Sequence, residues 1–244
     1  MSRKATTHTN DYKQEKLDPP KTLDNHPFYG LKLDKEQTEF RDAIWSSDYD
    51  IVFCNSKSGT GKTTIAVATA LLACEYGKYS GVIYQVAGGV YENKQGLLPG
   101  SIEEKSAPLF APLVQAVTRL GYDPQKVIVN DGNVFAQKEG SGLITAQTDS
   151  YIRGISLGET DSPVIIIIDE YQNCSIDALK TILSRVNVGS KAVCIGCEYQ
   201  CDLKEKKQSS LKRAEDIYIK YERTKICQLT TCYRSWIAAV ADEL

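Results

Sequence analysis

From residue 33 onward, apolar residues come in short blocks whose spacing switches between the helical and the extended period. Asp34 can cap a helix in which Phe40, Ala43 and Ile44 form an apolar stripe. Residues 50–54 (DIVFC) then read as a buried strand, 62–76 (KTTIAVATALLACEY) as a helix packed on both sides, and 82–84 as a second strand. Glycines and prolines between 86 and 101 predict an ordered loop. A helix over 102–120 follows, kinked or interrupted by Pro108 and Pro112. Weak alternation over 127–148 fits a hairpin turning at Gly140-Ser141-Gly142. The clearest strand is 164–168 (VIIII); helix 176–186, strand 192–195, helix 206–220, strand 226–229 and a helix from Arg234 come after it. Strands alternating with helices predict an α/β domain with a parallel sheet covered on both faces. Residues 1–33 are polar, carry a Pro19-Pro20 pair and read as a flexible tail, leaving one domain over 34–244.

Composition narrows the function classes. The 244 residues carry 29 Lys+Arg against 31 Asp+Glu, a net charge of -2, which excludes a histone-like protein that binds nucleic acid by charge alone. The run at 164–168 is the longest aliphatic stretch, too short to cross a membrane, and the polar N-terminus lacks the apolar core of a secretory signal. Eight cysteines are too sparse for a disulfide scaffold and fit a reducing, cytoplasmic setting.

The chemistry concentrates in two places. Ser56-Lys57-Ser58-Gly59-Thr60-Gly61-Lys62-Thr63 follows a predicted strand and opens a predicted helix, the context of a phosphate-binding loop. Its glycines let the backbone N–H groups of Ser58 to Thr64 curl around the phosphates of ATP. Lys62 would reach the β/γ oxygens, and the Thr63 hydroxyl would coordinate Mg²⁺. The usual first glycine is Ser56 here. A Gly-rich turn with a surface lysine is the competing reading. The second place is Asp169-Glu170, at the end of the VIIII strand. In a P-loop fold this strand is expected beside the loop strand, bringing Asp169 to the Mg²⁺ held by Thr63. Glu170 would orient and deprotonate the attacking water, a role that a hydrolase needs and a kinase does not.

Around these residues the chain resembles the PhoH-like ATPases, which have the motor-domain fold of superfamily 1 helicases. Asp169-Glu-Tyr-Gln172-Asn173 resembles the family's D-E-A-Q-N, with Tyr171 replacing alanine. Leu98-Pro-Gly100 with Glu104-Lys105, Pro108 and Pro112 resembles its L-P-G-x-x-x-E-K-x-x-P-x-x-x-P block, and Arg153-Gly154 its R-G-R-T segment. Arg185, Gly189-Ser-Lys191 and Gly196-Cys-Glu-Tyr-Gln200-Cys-Asp202 resemble T-R-x-G-x-x-S-K followed by G-D-x-x-Q-x-D. Gln37 looks like the glutamine that reads the adenine edge, and Arg234 in Tyr233-Arg234-Ser235 like the arginine that meets the γ-phosphate.

The resemblance implies a single RecA-like P-loop NTPase, a three-layer sandwich with a mostly parallel sheet. It also implies Mg²⁺-dependent ATP hydrolysis coupled to RNA or single-stranded DNA, with Gln200 sensing the γ-phosphate. With one motor core and about 210 residues assigned to it, a homo-oligomer, up to a hexameric ring, is expected to complete any strand-moving machine. The alternative is an ATP-binding regulatory module with little turnover that acts through a protein partner. Ser56 and Cys197, which stands in place of aspartate, lean that way; a third departure, Gln85-Val86, stands in place of Arg-Pro. A small-molecule kinase is disfavoured by Asp169-Glu170 and by Tyr233-Arg234-Ser235.

Nucleic-acid contacts are expected at the 86–101 loop (Tyr91, Lys94) and at Arg153-Gly154. The basic segment 204–225, with Tyr218 and Tyr221, reads either as a strand-binding face or as a solvated helix. Cys194, Cys197 and Cys201 invite a zinc or iron–sulfur reading, but no fourth ligand sits at a diagnostic spacing; core and loop cysteines are the preferred reading.

Overall fold

The computed structural model describes residues 18–87, 107–130, 143–148, 157–203 and 209–237. Seven strands, β1 (Ile51–Asn55), β2 (Gly81–Val86), β3 (Ile128–Asn130), β4 (Ile144–Thr148), β5 (Val164–Asp169), β6 (Lys191–Gly196) and β7 (Thr224–Cys227), form one sheet. Their order is β3-β4-β2-β5-β6-β1-β7, and every pair is parallel.

The two-residue period of the strands divides the core. Val52, Cys54, Ile165, Ile167, Val193 and Ile195 face one side; Ile51, Phe53, Ile166, Ile168, Ala192 and Cys194 face the other. On the first side lie α1 (Lys35–Trp45), α2 (Lys62–Glu75) and α3 (Ala111–Arg119). Helix α2 runs between its neighbours with every residue from Ile65 to Ala73 buried, which is why its sequence has no polar face. The other side is covered by α5 (Ile176–Leu183) and α6 (Leu211–Tyr218); the short α4 (Pro124–Val127) leads into β3. Helices on both faces of a parallel sheet make the three-layer P-loop sandwich. Among the described residues no helix is long and apolar enough to cross a membrane.

Four expectations change. The 127–148 segment is no hairpin: β3 and β4 run parallel, with Ile128 opposite Ile144, a pairing that a tight turn cannot make. β5 does not lie beside the loop strand β1, because β6 sits between them. The 102–120 helix is, over its described part, a 3₁₀ turn at Ala107–Phe110 followed by α3, with Pro112 in the first turn, where its missing N–H costs nothing. Part of the polar segment before residue 34 packs on the domain: Leu23 and Phe28 are buried, and the Trp45 indole N–H donates to the Pro20 carbonyl at 2.9 Å. The helix expected over 206–220 is described from Leu211 to Tyr218, and most of the one expected from Arg234 lies outside the described residues.

Candidate nucleotide-binding site

The loop between β1 and α2 owes its path to two glycines. Gly59 (φ +78°) and Gly61 (φ +88°) both occupy the left-handed region. A Cβ on Gly59 would meet Arg234 Cγ at 2.6 Å, so that position is closed to side chains twice over. Gly61 caps α2, whose N-terminal N–H groups open toward the loop. The Lys62 ammonium lies back over the loop, donating to the carbonyls of Ser56 (2.6 Å) and Lys57 (2.7 Å).

Although β6 separates β5 from β1, Asp169 and Cys54 both stand level with Ile195. Thr63, in the first turn of α2, bridges the gap: its hydroxyl donates to Asp169 Oδ2 at 3.0 Å. Tyr84, from β2, donates to the same oxygen, and the Glu170 N–H donates to Oδ1 at 2.8 Å. Burial raises the carboxyl pKa of Asp169 above the usual range against the pull of these donors. Glu170 is raised too, by burial first and by the charge of Asp169 second. Glu170 is held at φ +55°, ψ +35°, an uncommon conformation for a residue with a side chain.

The residues after this pair hold the next part of the site. The Gln172 amide donates to Glu170 Oε2 and to the Gln200 carbonyl (3.2 Å), while its oxygen accepts the Cys197 N–H at 3.0 Å. Asn173 accepts from the Asp202 N–H at 2.8 Å. Gln172 and Asn173 thus fasten the segment that presents Gln200. Gln37 is also engaged, accepting from the Asp34 N–H (3.2 Å) and donating to the Thr60 carbonyl (2.9 Å).

Beside this network lies a cleft of about 470 Å³. Of the residues singled out in the sequence, Gln37, Ser58, Gly59, Gly61, Lys62, Thr63, Thr64, Asp169, Glu170, Gln200 and Arg234 border it. Thr60 does not: it is buried beneath the loop, its hydroxyl on the Lys57 carbonyl at 3.2 Å. Cys197 is buried away from the cleft, and so is Gln85, whose side-chain oxygen has no hydrogen-bond partner among the described residues. Sequence reasoning missed Tyr233 as a wall of the cleft, and with it Gln115 and Arg119 of α3. Pro112, Gln115, Ala116 and Arg119 recur at one-face helical spacing, a signal visible in the sequence but without a partner until the fold supplied one.

Of the expected nucleic-acid contacts, Tyr91, Lys94, Arg153 and Gly154 lie outside the described residues, as do Lys204, Lys206 and Lys207. In the rest of the basic segment, Lys225 pairs with Glu39 at 2.6 Å, Arg223 with Asp50 at 2.5 Å, and Lys212 with Glu198 at 3.8 Å. Tyr218 packs on Phe53 and Tyr221. Lys212 (82%), Arg223 (60%) and Tyr221 (62%) are nonetheless mostly exposed, so this face stays open to solvent. No three metal-binding side chains cluster among the described residues. Cys194 is buried in β6, and the Cys201 thiol donates to the Gln172 carbonyl at 3.4 Å.

The model of the PhoH-like protein family matches residues 32–239. The chain belongs to the PhoH-like protein family. A PhoH-like protein of Mycobacterium bovis is 31% identical over 195 residues, 80% of this chain and 51% of that protein. Protein PhoH2 of Bacillus subtilis is 33% identical over 182 residues, 74% of this chain and 39% of that one. This PhoH-like chain thus spans about half the length, or less, of these curated relatives. Among solved structures, the large terminase of a thermophilic bacteriophage superposes with a TM-score of 0.56 at 13% identity, over 86% of this chain and 50% of that one. That likeness is one of fold: the PhoH-like domain is a P-loop NTPase sandwich.

Proposed function

We propose that this PhoH-like domain binds ATP with Mg²⁺ and hydrolyses it, in a cycle coupled to RNA or single-stranded DNA. The observation that carries the reading is the 3.0 Å contact of Thr63 with Asp169 beside Lys62, with Glu170 next in the chain. A hydroxyl and a carboxylate converging on one point are hard oxygen donors suited to Mg²⁺. When bound, the ion would offset charge on the β- and γ-phosphates. In this reading the loop N–H groups and Lys62 hold the phosphates, and Gln37 and the Tyr233 ring face the base. Glu170, its proton affinity raised by burial, accepts a proton from the attacking water. Arg234 and Gln200 stand at the γ-phosphate, where a guanidinium would stabilise the transferring group.

For nucleic acid, the described surface offers Tyr199, 69% exposed, with the Lys57 ammonium 5.8 Å from its ring centre. An exposed ring beside a cation suits a stacked base and its phosphate, and Tyr199 adjoins Gln200 in the chain. A homo-oligomer, up to a ring, is the assembly that would let one such domain pull on a strand.

The test is steady-state phosphate release by the parent and by Glu170→Gln, with Mg²⁺ and with or without homopolymeric RNA and DNA. Loss of about 10²-fold or more in Glu170→Gln, with stimulation of the parent by single strands, is expected. Equal, negligible rates in both proteins would favour the second reading, a regulatory module that binds ATP with little turnover. The hydrogen bond from Gln172 to Glu170 is the feature that favours it, since it occupies one oxygen of the carboxylate that would take the proton from water.

A further inference from the structure

Ser56 occupies the position at which a phosphate loop ordinarily has its first glycine. A glycine there contributes only backbone. The Ser56 backbone does what a glycine's would: its N–H donates to the Gly196 carbonyl at 3.0 Å, and its carbonyl accepts the Lys62 ammonium at 2.6 Å. The hydroxyl adds a third link. It accepts the backbone N–H of Leu229 at 2.6 Å, in a site where Ser56 is 5% and Leu229 2% exposed.

Leu229 begins a strap that leaves β7 and runs back across the loop. Thr230 donates to Glu36 through its N–H (2.6 Å) and its hydroxyl (2.9 Å). The Cys232 thiol donates to the Ser58 carbonyl at 3.5 Å, and the Tyr233 N–H to the Gly59 carbonyl at 2.9 Å. The next residue is Arg234, whose stem rests where Gly59 has no side chain. The strap is therefore tied to the loop at Leu229, Cys232 and Tyr233 and to α1 at Thr230, and the Ser56 hydroxyl is its first and most deeply buried tie.

We propose that Ser56 is a positioning residue that latches this strap to the phosphate loop and so sets Arg234 against the γ-phosphate. The inference rests on the ATP reading above. The physical reason is the buried Leu229 N–H, which alanine or glycine at position 56 would leave without its acceptor. The strap would then lose its register on the loop while the loop keeps its own backbone and Lys62. Because Arg234 meets only the third phosphate, the damage falls on triphosphate binding and spares diphosphate.

The test uses the full chain and compares Mg²⁺-ADP with a non-hydrolysable Mg²⁺-ATP analogue by titration calorimetry. Ser56→Ala and Ser56→Gly are each expected to weaken the analogue about tenfold, the scale of one orphaned buried donor, and ADP less than about twofold. Ser56→Thr, which keeps the hydroxyl, is expected to retain parental discrimination. In an Arg234→Ala background, Ser56→Ala is expected to cost the analogue nothing further. Equal losses for both nucleotides, no loss for either, or additive losses in the double variant would each overturn the latch. If Ser56→Ala does not fold, Ser56→Gly, which restores the usual loop residue, decides alone. A parent that binds neither nucleotide overturns the ATP reading itself, and the latch with it. A parent that binds both without discrimination lost in the Ser56 variants overturns only the latch.

Discussion

Asp169 and Glu170 concentrate the tension between stability and chemistry in this domain. Two carboxylates lie side by side, Asp169 buried and Glu170 half-buried, with Glu170 in a left-handed backbone conformation. Both carboxyls titrate above their unfolded values, so between the ordinary carboxylate range and their raised pKa values the native state holds more protons than the unfolded chain. Stability therefore falls as pH rises through that window, and the cost is fully present once both are ionised. Glu170→Gln keeps an oxygen for the Gln172 amide and removes one charge. We expect it to raise the melting temperature of the nucleotide-free protein at neutral pH, because it removes a charge that burial and Asp169 both disfavour. It should also flatten the fall of stability above about pH 4.5, near the ordinary carboxylate range. Thermal melts across pH check both; a lower melting temperature for Glu170→Gln would mean that the charge is held without cost.

At the scale of elements, α1 shows how a motif residue can serve the site from a distance. Its N-terminus carries a reciprocal cap, Asp34 accepting the Gln37 N–H at 2.8 Å while Gln37 accepts the Asp34 N–H at 3.2 Å. Its C-terminus is held by Lys191, buried in β6, whose ammonium donates to the Ile44 carbonyl at 2.8 Å and to the carbonyls of Ala43 and Ser46. The Ser190-Lys191 pair, which looks chemical in the sequence, is scaffold: Ser190 accepts the Val164 N–H at 3.1 Å and Lys191 anchors the helix that brings Gln37 to the loop. Lys191→Met orphans those buried carbonyls, and we expect it to cost about 1–3 kcal/mol in denaturant unfolding with the m-value unchanged. Elements also mark where sequence reading stopped. Strands such as β5 were legible because a strand buried on both faces is a continuous aliphatic run. The order of strands was not: that β6 lies between β5 and β1 depends on crossovers no local pattern encodes, and β3 with β4 mimicked a hairpin because alternation says nothing of direction. The loop and acidic pair were legible because their chemistry fixes residue types at short spacing. Tyr233, Gln115 and Arg119 were not, because their role is to face a cleft assembled from distant segments.

For the whole molecule, the cleft is the place where otherwise separate parts of the sheet meet. Lys62 and Thr63 come from the helix after β1, Asp169 and Glu170 from the end of β5, and Gln200 from the segment after β6. Arg234 comes from the strap after β7, and Gln115 from α3. Hydrogen bonds already join these parts, among them Thr63 to Asp169, Gln172 to Gln200, Ser56 to Gly196 and the strap to the loop. A nucleotide that touches all of them would act as a cross-link across four strands, present only in the native state. By linkage, a ligand at 100 times its dissociation constant adds about 2.7 kcal/mol to folding stability. At roughly 2–4 °C per kcal/mol for a chain of this size, a saturating Mg²⁺-ATP analogue should raise the melting temperature by about 5–11 °C. Lys62→Ala should abolish that rise while leaving the nucleotide-free melting temperature within a few degrees of the parent, because its ammonium is bonded only to loop carbonyls among the described residues. A shift that survives Lys62→Ala would place nucleotide binding elsewhere, and the groove between α5 and α6, about 1060 Å³ and lined by Lys180, Arg213 and Lys220 as well as Leu179, Leu183 and Ile217, would be the next place to test.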